Sequence, residues 1–113
     1  MGLAEKACVP CRGGVPPLAR DAAESLLKEL DPGWALTHDG TRLERTYLFA
    51  DFAAALDFAN RLGEVAEHED HHPDLHIGWG RCVVEIWTHK INGLPDSDFY
   101  FAAKTDRVFS EMA

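Results

Sequence analysis

Four of the six histidines lie between Glu67 and His76, together with four carboxylates. An unperturbed imidazole titrates at about pH 6.5, so histidines beside carboxylates can give and take protons near neutral pH. On a helix, Glu67 would lie one turn before His71, and His68 one turn before His72, where a carboxylate can orient or acidify a ring. The segment predicts a proton-transfer site or, at its plainest, a polar helix end whose histidines favour the negative end of the helix dipole.

Pro73 directly follows the last two adjacent histidines of this segment. The residue before a proline is disfavoured in the helical region, so we expect the chain to leave the helix at His72. His71 and His72 should then be aimed into the junction with the next strand. Functional side chains often gather at such ends of secondary-structure elements.

The residues from His68 to His72 also match the H-E-x-x-H pattern of zinc proteases. In such an enzyme His68 and His72 would bind zinc on one helical face, and Glu69 would be the general base. Pro73 would break the helix that must hold both ligands. A zinc-dependent hydrolase is therefore a less favoured alternative, and we expect no metal.

Hydrophobic periodicity predicts the elements that must position these side chains. They are a helix over 18–30, strands over 34–37 and 42–49 around an Asp39-Gly40 turn, a helix from its cap Asp51 to 72, strands over 75–79 and 82–88 around Gly80-Arg81, and a last helix that Asp98 can cap. The order α-β-β-α-β-β-α predicts an α+β fold. In that fold an antiparallel four-stranded sheet carries three helices on one face, and its other face is open.

Length and charge narrow the class of protein. A chain of 113 residues provides one domain, which we place at 18–113, after an extended N-terminal arm over 1–17. A net charge of -8 disfavours direct binding of nucleic acid. The absence of a long apolar run and of a signal-peptide pattern predicts a cytoplasmic protein that does not bind membranes.

Three cysteines, with Cys8 and Cys11 outside any strand-to-helix context, fit a reducing compartment and predict neither a disulfide framework nor a redox motif.

The sequence resembles the pterin-4a-carbinolamine dehydratase family. The motifs that carry the resemblance are Glu67-x-x-x-His71-His72-Pro73, Trp79, Thr88-His89, the Gly93-Leu94 loop and Asp98. Similarity continues through 98–104, and the start over 8–17 is similar to that of many microbial members. The resemblance covers nearly the whole chain and implies the α+β fold that the periodicity also predicts.

The resemblance implies a hydro-lyase that removes water from 4a-hydroxytetrahydropterin, including the biopterin form, and yields the quinonoid dihydropterin in tetrahydrobiopterin recycling. It implies that His71 and His89 are the proton donor and acceptor, in an order left open, and that His72 fixes the substrate. It further implies pterin-binding or orienting positions, namely Glu67, Asp70, Thr88 and Asp98, although Asp98 could equally cap its helix. No cofactor is expected, because the pterin is the substrate.

A second class of function is a binding module, because some members of the resembled family dimerise transcription factors. Three aligned proton carriers favour an enzyme, since a pure scaffold does not need them, and both roles can coexist. We expect a homodimer or homotetramer that covers the apolar surface left by the open sheet face. The resemblance also suggests an aromatic amino acid hydroxylase as a partner.

Overall fold

The computed structural model describes residues 3–5, 18–88 and 94–112. The elements in chain order are a 3-10 turn (Leu3–Glu5), α1 (Arg20–Leu27), β1 (Ala35–Thr37), β2 (Arg42–Leu48), α2 (Phe52–Glu69), β3 (Asp74–Gly78), β4 (Arg81–Ile86) and α3 (Asp96–Met112). The strands form one antiparallel sheet in the order β1-β2-β4-β3. The predicted α+β fold and its element order are confirmed.

The sheet has a buried face, which packs on the helices, and a more open face. On β4, Cys82, Val84 and Ile86 have no exposed surface, whereas Val83 is only partly buried. This alternation follows from the two-residue period of a strand, as the sequence predicts. Burial raises the pKa of the Cys82 thiol to about 11, so the thiol stays protonated at neutral pH.

Helix α2 begins where the sequence predicts and ends earlier. The carboxylate of its N-cap, Asp51, accepts a hydrogen bond from the Ala54 N–H at 2.8 Å. The helix ends at Glu69 because Asp70 adopts the left-handed conformation, with φ 51° and ψ 46°. The predicted end at His72 is therefore wrong, since the chain turns before it reaches Pro73.

The other two helices also differ from the prediction at their ends. Helix α3 starts at Asp96, so Asp98 lies inside its first turn and does not cap it. A carboxylate in the first turn is nevertheless stabilised by the helix dipole. Helix α1 covers only Arg20–Leu27, and its N-cap residue, Ala19, offers no side-chain hydrogen bond.

The structure describes only a short part of the segment 1–17 that the sequence predicts to be an extended arm. Leu3–Glu5 form a 3-10 turn, and Leu3 is buried within the hydrophobic core. Lys104 of α3 donates a hydrogen bond to the Ala4 carbonyl at 2.8 Å, which ties this turn to the last helix. Cys8 and Cys11 lie outside the described residues, and the division into an arm and a domain stays a prediction.

Asp106 connects α3 to the sheet and to the segment before β1. Its carboxylate accepts hydrogen bonds from Trp34 Nε1 at 2.9 and 3.0 Å, from Arg45 Nη1 at 2.7 Å and from the Tyr47 hydroxyl. Burial raises the pKa of Asp106, and the hydrogen bonds from Tyr47 and Trp34 oppose that rise. Two side chains of β2 and one from the segment before β1 therefore share one acceptor.

We expect Asp106→Ala to lower the free energy of unfolding by about 3 kcal/mol, because it leaves buried donors without an acceptor. Asp57→Ala is the matched control, since Asp57 is a helical aspartate paired with Arg61 at an exposed site. Exposed pairs contribute less than about 1 kcal/mol. Urea unfolding measures both variants, and equal losses of stability would contradict the structural role of Asp106.

Glu85 is a buried carboxylate on the open face of the sheet. It accepts hydrogen bonds from His76 Nε2 at 2.8 Å and from Arg42 Nη1 at 3.3 Å, and the guanidinium of Arg42 lies 3.9 Å from the ring centroid of Trp87. The hydrogen bond from His76 lowers the pKa of Glu85, burial opposes that effect, and Arg42 reinforces it. His76 of β3 therefore serves cross-strand polar packing against Glu85 of β4.

This lowered pKa gives Glu85 a stabilising contribution above its unfolded pKa of about 4.3, which is lost as the pH falls through the folded value. We expect Glu85→Gln to cost about 1 kcal/mol at pH 7 and progressively less below about pH 4. Denaturant unfolding as a function of pH measures this difference. Glu24→Gln, which alters an exposed pair on α1, should show a much smaller effect at every pH.

Candidate active site

His71 lies where α2 ends and the chain turns back toward the sheet. The left-handed Asp70 reverses the chain, and the His71 N–H donates to the Ala66 carbonyl at 3.0 Å. His71 is only 9% exposed, and its ring centroid lies 5.5 Å from that of Phe101. The helix end therefore delivers this histidine into the edge of the core.

The ring of His71 is held by a carboxylate from another helix. His71 Nε2 is hydrogen-bonded to Asp98 Oδ1, and the Thr88 hydroxyl donates to both oxygens of Asp98, at 3.0 and 3.2 Å. Asp98 has no exposed surface, and Thr88 is buried as well. The end of α2, the residues after β4 and the first turn of α3 thus meet at one carboxylate.

The burial of Asp98 determines its electrostatics. Burial raises the pKa of Asp98, and the hydrogen bonds from His71 and Thr88 act in the opposite direction. When Asp98 is ionised, it accepts a hydrogen bond from the Nε2–H of His71. The lone pair of the neutral ring then lies on Nδ1, which is thereby left to accept a proton.

His72 lies beside His71 in the sequence but in a different environment. Its ring contacts the Glu67 carboxylate through Nε2 at 2.5 Å, and the two side chains are 55% and 77% exposed. The expectation that Glu67 pairs with His71 is therefore wrong. The shortened helix explains the change of partner, because the residues after Glu69 no longer follow the helical spacing.

The geometry of the H-E-x-x-H residues does not match a zinc helix. Since α2 ends at Glu69, His68 and His72 do not share one helical face. The side chain of His68 is 84% exposed, and its Nε2 lies 3.8 Å from Oε2 of Glu69. Within residues 3–5, 18–88 and 94–112, no group of three or more His, Cys, Asp or Glu side chains has an arrangement that could hold a metal ion.

The structure describes some of the other predicted site residues but not all of them. Thr88 and Asp98 lie against His71, as described above, whereas His89 falls outside the described residues. Asp70 is exposed, and its predicted contact with pterin stays a prediction. Phe101, which packs against the His71 ring, is not among the site residues predicted from the sequence. Its position one helical turn after Asp98 was the available signal.

Comparison with known proteins identifies the family. The sequence pattern of the family described as Pterin 4 alpha carbinolamine dehydratase matches residues 16–108. A Rubrobacter xylanophilus relative whose name assigns it to the pterin-4-alpha-carbinolamine dehydratases is 55% identical over 106 residues, which cover 94% of this chain and 97% of that protein. A similarly named Methylococcus capsulatus relative is 52% identical over 109 residues, which cover 96% of this chain and 95% of that protein.

The chain belongs to the pterin-4-alpha-carbinolamine dehydratase family. Its fold is also similar to the crystal structure of a transcriptional coactivator/pterin dehydratase from Brucella melitensis, with a TM-score of 0.76 and 29% sequence identity. That alignment covers 81% of this chain and 97% of the Brucella chain. The fold and the sequence relatives therefore agree on a pterin dehydratase.

A helix must be both long and apolar to cross a bilayer. In the part of the chain that the structure describes, none of the helices combines the length and the apolar character that this requires.

Thr88 provides a test of the hydrogen-bonded chain that holds His71 in this dehydratase. We expect Thr88→Val to lower turnover by about tenfold, because it removes the donor to Asp98 while it keeps the side-chain shape. Thr88→Ser keeps the hydroxyl and should stay within about threefold of the parent. Steady-state kinetics and thermal unfolding distinguish the cases, and equal turnover of the Val and Ser variants would contradict a positioning role.

Proposed function

We propose that this family member dehydrates 4a-hydroxytetrahydropterin, including the biopterin form, by histidine acid–base catalysis in the recycling of tetrahydrobiopterin. The observation that supports the proposal most is the buried hydrogen bond between His71 and Asp98, completed by Thr88. A carboxylate that orients an imidazole and fixes its tautomer is a recurrent arrangement for proton transfer. The family membership supplies the class of substrate.

The reaction requires two proton transfers. The bond between C4a and the hydroxyl oxygen breaks, and the oxygen gains a proton and leaves as water. The neighbouring ring nitrogen loses its proton, and the electron pair of that N–H bond forms the carbon–nitrogen double bond of the quinonoid product. The balance therefore needs one base and one acid and involves no oxidant or reductant.

The environment of His71 favours the role of base for this residue. Because its Nε2–H is directed to Asp98, neutral His71 offers only the Nδ1 lone pair, which can accept the ring-nitrogen proton. The division implied by the family resemblance then makes His89 the acid that protonates the leaving hydroxyl. The assignment of His89 rests on that resemblance alone.

His72 and Glu67 are better suited to binding substrate than to proton transfer, because they lie at the surface. The two side chains are exposed and paired, so a polar pterin edge can exchange hydrogen bonds with them at little desolvation cost. We assign to His72 the fixing of the substrate and to Glu67 the orientation of His72. Thr88 and Asp98 act through His71, since Asp98 is fully buried.

Association with other chains is a separate proposal. Leu48 and Trp79 are large apolar side chains that are 74% and 73% exposed in the single chain. Such surface fits a homodimer or homotetramer, or the scaffold role that the coactivator description of the Brucella protein suggests. An aromatic amino acid hydroxylase as the source of the substrate stays a prediction.

The decisive assay follows dehydration of chemically prepared 4a-hydroxytetrahydropterin with and without a metal chelator. We expect His71→Ala to lower turnover by about 10²- to 10⁴-fold, the usual contribution of a positioned acid or base. His68→Ala is the matched control, because it removes an exposed histidine from the same helix end. It should leave turnover unchanged, and the chelator should have no effect on the parent protein.

Parental turnover in a folded His71→Ala protein would remove His71 from the mechanism. Loss of activity in His68→Ala together with sensitivity to the chelator would instead support zinc bound through the H-E-x-x-H residues. Circular dichroism and thermal unfolding of each variant show whether it is folded. We expect His89→Ala to lower turnover by the same factor as His71→Ala, which tests the assignment of His89 as the acid.

A further inference from the structure

We propose that Asp70 is a positioning residue that places His71 through its left-handed backbone conformation, and that its carboxylate is not required. This differs from the pterin contact implied by the family resemblance. The kinetic part of the inference rests on the proposed function, whereas its structural part concerns the free protein. The observations that support the proposal lie at the end of α2.

The backbone around Asp70 forms a specific helix end. Its N–H is directed to the carbonyls of Ala66 and Glu67, and the next N–H, of His71, donates to Ala66 at 3.0 Å. These paired bonds are those of the Schellman motif, in which the residue after the helix is left-handed. They require φ and ψ at Asp70 to remain near the observed 51° and 46°.

The side chain of Asp70 is exposed and makes no hydrogen bond or ion pair with any residue that the structure describes. Asp51 at the other end of α2 differs, since its carboxylate accepts a hydrogen bond from Ala54. What Asp70 does supply is tolerance of a positive φ, which aspartate, asparagine and above all glycine provide.

The conformation of Asp70 determines where His71 lies. If Asp70 were right-handed, the helix would continue and would carry His71 along the α2 axis. The left-handed residue instead turns the chain back, so that the next side chain is 9% exposed and reaches Asp98. The alignment of His71 with a carboxylate on α3 therefore depends on a single pair of backbone dihedrals.

The test compares Asp70→Gly and Asp70→Asn with Asp70→Val. Glycine and asparagine adopt the left-handed conformation, whereas a β-branched residue strongly resists it. We expect Asp70→Val to lower kcat by about 10²-fold with little change in KM, as displacement of a catalytic group does. The Gly and Asn variants should rescue kcat to within about threefold of the parent.

Asp39→Val is the control for backbone strain in general. Asp39 is also left-handed, with φ 59°, but it lies in the turn between β1 and β2. The Asp39→Val variant should have a lower thermal stability and an unchanged kcat. If it reproduced the kcat loss of Asp70→Val, nonspecific strain would explain that loss and the proposal would be overturned.

Nitrogen-15 NMR of the His71 ring in the free protein gives a readout that is independent of activity. The parent, Gly and Asn proteins should share the tautomer protonated at Nε2, and Asp70→Val should show a mixture of tautomers. If Asp70→Val does not fold, Asp70→Ala replaces it, with a smaller effect in the same direction. This measurement decides the structural claim even if no variant dehydrates a pterin.

Two other results would overturn the proposal. Loss of turnover in Asp70→Gly and Asp70→Asn, with the parental tautomer of His71 intact, would show that the carboxylate itself is needed. Parental turnover and the parental tautomer in Asp70→Val would show that the left-handed residue does not place His71. A parent protein that is inactive but shows the expected tautomers would reject the proposed function and retain the positioning role.

Discussion

The hydrogen bond between the Asp98 carboxylate and the His71 ring is the constraint on which the site depends. A buried carboxylate costs several kcal/mol in desolvation unless donors replace the lost water. Here the donors come from two separate elements, His71 after α2 and Thr88 after β4, while α3 supplies the acceptor. The site is therefore complete only when all three elements have packed, and its geometry is a property of the whole core.

Helix α3 is fixed by two such carboxylates, about two turns apart. Asp98 accepts hydrogen bonds from His71 and Thr88. Asp106 accepts them from Trp34 and from two side chains of β2. A shift of the helix by one turn would remove both acceptors from their donors, at a cost of about 1–3 kcal/mol for each buried group left unpaired. Hydrophobic packing alone, against rings such as Tyr47 and Phe58, specifies the helical register less sharply.

The fold could be predicted from the sequence because its signals are local. The alternation of Val84 and Ile86 with Val83, the Asp39-Gly40 turn and the N-cap Asp51 each depend on near neighbours, and the structure agrees with all three. The pairing of Glu67 with His72 and of Asp98 with His71 could not be predicted in this way. They depend on where α2 ends, and Pro73 concealed the true end because it is the stronger breaker in the sequence.

A proline ends a helix without specifying the direction in which the preceding side chains point. A left-handed residue reverses the chain at a defined angle, so consecutive side chains enter different environments. After Asp70, His71 is 9% exposed against Asp98, and His72, at 55% side-chain exposure, lies against Glu67. Two adjacent imidazoles of the same intrinsic chemistry thereby become unlike groups, one hydrogen-bonded to a buried carboxylate and one paired with an exposed carboxylate at the surface. The proposed function uses this difference, since it makes His71 a proton acceptor and His72 a residue that fixes the substrate, and one backbone conformation is sufficient to create it.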